Sequence, residues 1–415
     1  MVGRIATWQK RHLNGIGALI TVVLLTLSAC GGGTAASQSQ APIKIGISVS
    51  LSGDFSADGK ATENGYQLWA DTVNKNGGLL GRQIKLDFLS DASSTTQVVT
   101  NYQKFISVNH DDLVLGPYST LLTKPASVVA HRYGYAMIEG SGGGPSVFTQ
   151  GFNDLFDVSP PIVSQLNSFT QYVLSLPPSQ RPQTAAYATE DDPFTQPMID
   201  QARSLLEHGG IKTASYQLYP AETTDFTPIA QKVIASGAQL VVLGSMLPDM
   251  IAYVQAFRQQ HFNPMAIVAS AGPDQGAQFT GPIGGSSVAE GLFYPNGWDP
   301  DLNTYQNAQM VKDYIAKYHG SAQQISADTP EAYSVGQVLY QAATKIHSID
   351  NSALIRELHS GDTFQTVQGN VQFNSQGENT SGAVYVFQWQ KGSVVAVYPT
   401  AQAAAKPEFP KPNWP

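Results

Sequence analysis

The stretch "LSGDFSADGKATENG" (51–65) follows an apolar run, "IKIGISVS" (43–50), and carries Gly53, Gly59 and Gly65 with Asp54 and Asp58 between the first two. A glycine-rich loop closing a buried strand can cradle phosphate on backbone N–H groups. Spacing and charge reject that chemistry here. GxGxxG fails at Phe55, and five residues rather than four separate the glycines of "GDFSADGKA", with Ala61 where magnesium needs Ser or Thr. Asp54 and Asp58 would also repel phosphate. A nucleophile elbow is missing: "EGSGGG" (139–144) lacks the first glycine of GxSxG. The eight histidines are scattered singly, without zinc-ligand spacing. "TEDDP" (189–193) groups three acids but brings no further ligands, so it reads as an acidic turn and not a calcium loop. No enzyme constellation, metal or cofactor is expected.

What recurs is polar, glycine-rich sequence just after apolar runs. "SGDFSADG", "GPYST" (116–120) and "EGSGGG" follow the first, third and fourth runs of one series; "TEDDPF", "GSMLPD" (244–249) and "SAGPDQG" (270–276) do so in a second. These runs alternate with helical periodicity. The first series has a helix near 61–74, a second carrying Val98, Val99, Tyr102, Phe105 and Ile106 on one face, and one starting near 123–125. The second has helices near 162–176, 194–208, 229–236 and 249–260. Such β-α-β-α order predicts parallel strands with right-handed crossovers, and two series predict two sheets. Ligands of open α/β sheets bind outside the carboxyl ends of the strands. Two such edges facing each other would make a cleft.

The ends set the address. Arg4, Lys10 and Arg11 precede an apolar stretch over 16–27 that is too short to span a membrane, and it closes in "LSAC". Residues 1–29 read as a lipoprotein signal peptide, Cys30, the only cysteine, as the lipid attachment site, and 30–42 as a flexible tether. The protein is expected outside the cytoplasm, anchored to the cell membrane. A net charge of −8 argues against nucleic acid. With one cysteine no intrachain disulfide can form, so the core must stabilise the fold alone.

"IKIGISVSLSG", "GYQLWADTVNKNGGLLGRQIKLDFLSDASS", "LVLGPYSTLLTKPAS" and "GNVQFNSQGENTSGAVYVFQW", in that order behind a lipobox, resemble the leucine/isoleucine/valine-binding proteins of branched-chain amino-acid ABC transporters. The resemblance implies an α/β, two-lobed periplasmic-binding-protein-like type I fold with three hinge crossovers. One lobe would comprise 43–159 and 294–382, the other 160–293 and 383–399, with a C-terminal tail over 400–415. It implies a monomer that captures a small polar ligand, most simply an amino acid, between closing lobes and delivers it to a membrane permease. An aromatic acid, amide, urea or short peptide is the alternative ligand, and a sensory role the alternative function. Matched residue by residue, Ser119 and Thr120, with Tyr118 and Ser52 nearby, would take a ligand carboxylate. Ser141, Gly142 and Gly143 stand in a loop where the family usually has a threonine. Phe194 would cover the ligand, Met246 would form an apolar wall and Asp274 would pair with an ammonium. Asp58 replaces an aromatic residue, which points to a polar or cationic ligand.

Overall fold

Every second residue of the first apolar run, Ile43, Ile45, Ile47 and Val49, is fully buried on one face of a strand. Their partners in that core include Trp69, Val335 and Leu339 from two helices. On the opposite face Gly46 leaves room for Phe105, whose ring would lie 2.4 Å from any Cβ there. A period of two with both faces covered is the pattern of a central parallel strand.

The structure, a computed structural model, describes residues 41–220 and 223–415; the signal peptide, Cys30 and nearly all of the tether lie outside the described residues. One sheet holds β1 (Ile43–Val49), β2 (Ile84–Ser90), β3 (Leu113–Leu115), β4 (Met137–Glu139) and β5 (Leu155–Asp157), all parallel, in the order β2-β1-β3-β4-β5. The second begins with β6 (Thr184–Glu190), β7 (Lys212–Tyr219), β8 (Leu240–Gly244), β9 (Ala266–Ala269) and β10 (Leu292–Asn296), parallel and ordered β7-β6-β8-β9-β10. After a small hairpin of β11 (Phe364–Thr366) and β12 (Gly369–Val371), β13 (Tyr385–Gln390) and β14 (Ser393–Tyr398) extend the second sheet antiparallel beyond β10. The chain passes between the sheets three times: after β5, after β10 and before β13. This is the expected α/β type I arrangement.

Helices 56–75 and 328–346 cross tightly on the first sheet. A Cβ at Gly65 would lie 2.2 Å from the Thr329 carbonyl, and one at Gly336 would lie 2.1 Å from the Trp69 ring. Helix 56–75 starts at Ser56, earlier than the expected Ala61, because Gly59 fits its first turn against the Ser50 backbone, 2.1 Å from where a Cβ would sit. The helix over Thr120–Tyr133 also starts ahead of the expected 123–125, with Ser119 as its cap and Pro125 inside it. Strands β5 and β14 and helix Asn351–Leu358 escape the sequence reading. The tail is ordered on the second sheet: Lys411 N–H donates to the Met265 carbonyl (2.8 Å), and Trp414 Nε1 to the Phe262 carbonyl (2.7 Å). Among the described residues, no helix is long and apolar enough to cross a membrane.

Candidate ligand-binding site

Loops at the carboxyl ends of both sheets line a cavity of about 800 Å³ of empty space, the open solvent at its mouth included. The Gly59 packing carries Asp58 into its wall, 5% exposed, where Asp58 Oδ1 accepts a hydrogen bond from Gln275 Nε2 of the opposite lobe. Tyr118 lines the cavity with its ring edge-on to Phe55 at 5.6 Å. Ser119, next to it, has φ +74° and accepts Leu122 N–H on its hydroxyl at 3.3 Å. Ser141 lines the wall, its Oγ donating to Glu331 Oε2 at 3.0 Å. Gly143 also lines it, and a Cβ there would lie 2.3 Å from Asp157 Oδ2. That acid occupies the space a threonine side chain would need. From the second lobe come Phe194, Met246 and Asp274. Phe194 and Met246 also pack against the apolar cluster of Phe55 and Tyr118, so the two lobes touch across the cleft.

Three of the expected residues stand off the wall. The exposed Ser52 offers its carbonyl to Ser93 Oγ at 2.9 Å. Thr120 is fully buried and takes Gly144 N–H on its hydroxyl at 3.2 Å. Gly142 N–H and Ser141 N–H both donate to Glu139 Oε2, at 2.5 and 2.8 Å. The N–H groups of Ser141 and Gly142 are thus already taken by an internal carboxyl.

The electrostatics are one-sided. Asp58, Asp157, Asp274, Asp328 and Glu331 line the cavity, and among the described residues no Lys, Arg or His joins them in the lining. Burial raises the pKa of all five, since each charge loses hydration. Asp274 is pushed up to about 6 by burial. Asp328 rises to about 7, by burial and then by the charge of Asp274. Asp58 is raised well above the usual range by burial, then by Asp328 and Asp274. Burial does the same to Glu331, with Asp328 adding to it. Asp157 rises through burial and the neighbouring Glu139. Glu139 itself reaches about 8 by burial, restrained by the Gly142 and Ser141 N–H groups.

Sequence reading missed Asp157, Gln275, Asp328 and Glu331. Asp328 and Glu331 are three residues apart in the first turn of helix 328–346, so they share a face. By themselves they look like ordinary N-terminal acids favoured by the helix dipole. Only the folded loops that bring Gln275 to Asp328 and Ser141 to Glu331 reveal a second role. "TEDDP" has a local use: Asp192, 5% exposed, accepts Phe194 and Thr195 N–H on Oδ1 at 2.7 and 3.0 Å. This fixes the turn on which Phe194 sits.

The family model described as periplasmic binding protein matches residues 42–393. The chain belongs to the periplasmic binding protein family. Leu/Ile/Val-binding protein homolog 3 of Brucella melitensis is 24% identical over 365 residues, covering 87% of this chain and 95% of that one. Among solved structures, the branched-chain amino acid transporter substrate-binding protein LivJ of Streptococcus pneumoniae, in complex with isoleucine, superposes with a TM-score of 0.75 at 20% identity, covering 89% of this chain and 100% of that one. A solute-binding protein of an R. palustris ABC transporter, in complex with benzoate, has a TM-score of 0.75 at 14% identity, covering 88% and 98%. Members of this periplasmic binding family are solute-binding proteins, and the family implies an extracytoplasmic location.

Proposed function

We propose that this periplasmic binding protein is the lipid-anchored, monomeric receptor of an ABC importer, capturing a small polar solute, most simply an amino acid, between its lobes. One observation carries the reading: the cavity is walled by residues of both lobes, with Asp58, Ser119 and Ser141 on one side and Phe194, Met246 and Asp274 on the other. A solute touching both walls makes contacts that exist only when the lobes are closed, so binding favours closure. The closed form then docks on the permease, and acyl chains on Cys30 keep the receptor at the membrane. The relative bound to benzoate raises an aromatic acid as a second ligand class. The Ser119 helix terminus could accept a carboxylate, but among the described residues no basic side chain lines this cavity.

The test is mass spectrometry of the solute carried by natively expressed protein, paired with small-angle scattering before and after that solute is removed. A bound small molecule whose removal expands the particle is the expected result. A protein that carries no solute and keeps one shape would refute the receptor reading.

A further inference from the structure

We infer that the solute is a compact organic molecule with two cationic groups, a diamine or a basic amino acid, whose ammonium- or guanidinium-type nitrogens are joined by a short apolar chain. The inference rests on the receptor reading above and names the class of its ligand.

Supply and demand of hydrogen-bond donors around the cavity give the argument. Gln275 Nε2 has two hydrogens yet faces three carboxyl groups: it donates to Asp58 Oδ1 and lies 3.3 Å from Asp328 Oδ2 and 3.5 Å from Asp274 Oδ2. These acids come from a helix of the first lobe, a second helix packed beside it and a loop of the other lobe. A second group of acids joins Asp157, at the end of β5, to Glu331 of helix 328–346. Glu331 receives only the Ser141 hydroxyl. Asp157, 1% exposed, uses Oδ1 for Ser159 N–H at 2.8 Å, while Oδ2 has no hydrogen-bond partner among the described residues. An ammonium brings three donors, with its charge, to carboxyl oxygens in the cavity wall that the protein leaves without them.

Two further features narrow the class. Among the described residues, no three Asp, Glu, His or Cys side chains are placed to hold a metal ion, so these acids suit an organic cation. Two groups of acids suit two nitrogens. Tyr118, Phe194, Met246 and Ile162 add apolar and aromatic surface to the same cavity, which suits methylenes and stabilises cations over ring faces. A neutral aliphatic amino acid would satisfy Asp274 and leave the other acids as they are.

The groups facing the cavity are Asp58, Asp157, Asp274, Asp328, Glu331 and Tyr118, with Glu139 behind them, and among the described residues no imidazole or amine opposes them. Burial leaves Asp274 near 6 and Asp328 near 7, so the empty cavity carries protons at neutral pH that a ligand with two cationic groups would expel. Affinity should therefore rise with pH between about 6 and 8, with protons released on binding.

Isothermal titration calorimetry in two buffers of different ionisation enthalpy tests this. The probes are putrescine, cadaverine, L-ornithine and L-lysine, set against L-leucine, L-isoleucine and benzoate. The expected result is micromolar binding of at least one of the first four with proton release, weakened tenfold or more in both Asp58→Asn and Asp328→Asn, each checked for intact melting. Binding by a diamine would show that no carboxylate is needed. Binding confined to the basic amino acids would assign their carboxylate to the Ser119 terminus. Leucine, isoleucine or benzoate binding while the diamines and basic amino acids do not would overturn the inference and leave the receptor reading standing. Silence from every probe would also overturn it, and the receptor reading would then be judged by the natively carried solute.

Discussion

Replacing Asp328 by Asn should make the ligand-free protein more stable at pH 8 and flatten its pH dependence. Asp328 is 7% exposed; its Oδ2 accepts Ser326 Oγ at 2.8 Å and Gln275 Nε2 at 3.3 Å. Asparagine has nearly the same shape and keeps an oxygen for both donors, but it cannot ionise. Burial and Asp274 raise the Asp328 carboxyl from an ordinary 3.8 to about 7. The unfolded chain sheds this proton near pH 4, whereas the native state keeps it to about pH 7. Between those values the native state binds more protons, so stability is highest on the acid side and falls as pH rises. A gap of about three pH units corresponds to roughly 4 kcal/mol when complete. Asp58 shares the junction and its like charge disappears less completely, so a gain of ~2–3 kcal/mol is the expected return, or roughly 2–4 °C in Tm for a chain of this size. Thermal unfolding from pH 5 to 8.5, on protein stripped of solute by unfolding and refolding, is the assay. A variant that melts at or below the parent temperature at pH 8, with the same slope against pH, would refute the reasoning.

Gly336→Ala forces a methyl into the Trp69 ring, 2.1 Å away, and should destabilise the first lobe by ~1–3 kcal/mol or more. A urea midpoint equal to the parent's would show that the two helices can part freely. Trp389→Phe removes the indole N–H that donates to the Pro273 carbonyl at 2.9 Å, beside Asp274 and Gln275. Amide exchange should quicken over residues 270–276 while global stability falls by only ~1 kcal/mol. Unchanged exchange there would mean that this bond does not hold the loop.

The sequence by itself determined the α/β class and the two sheets, because strands of alternating burial and helices with one apolar face leave a local periodic signal. Strand β5 escaped because "LFD" is three residues long and merges with a proline-rich crossover. Strand β14 lacks such an excuse locally; its pairing with β13 is what completes the sheet. Chain order likewise pointed to the loops at the strand ends, and the family resemblance named Asp58, Ser119, Ser141, Phe194 and Asp274 within them before any contact was known. Tertiary structure alone decided the character of the cavity. Asp157 and Glu331 are far apart in sequence, and Gln275 meets Asp58 across 217 residues. Each of these acids is unremarkable in its own stretch. Burial around one space, with no cation opposite among the described residues, changes their charge and gives the cavity its chemistry. Gly59 and Gly143 show the same division. Their identity is visible in the chain, but the close approach of Ser50 and Asp157 that requires glycine belongs to the folded molecule.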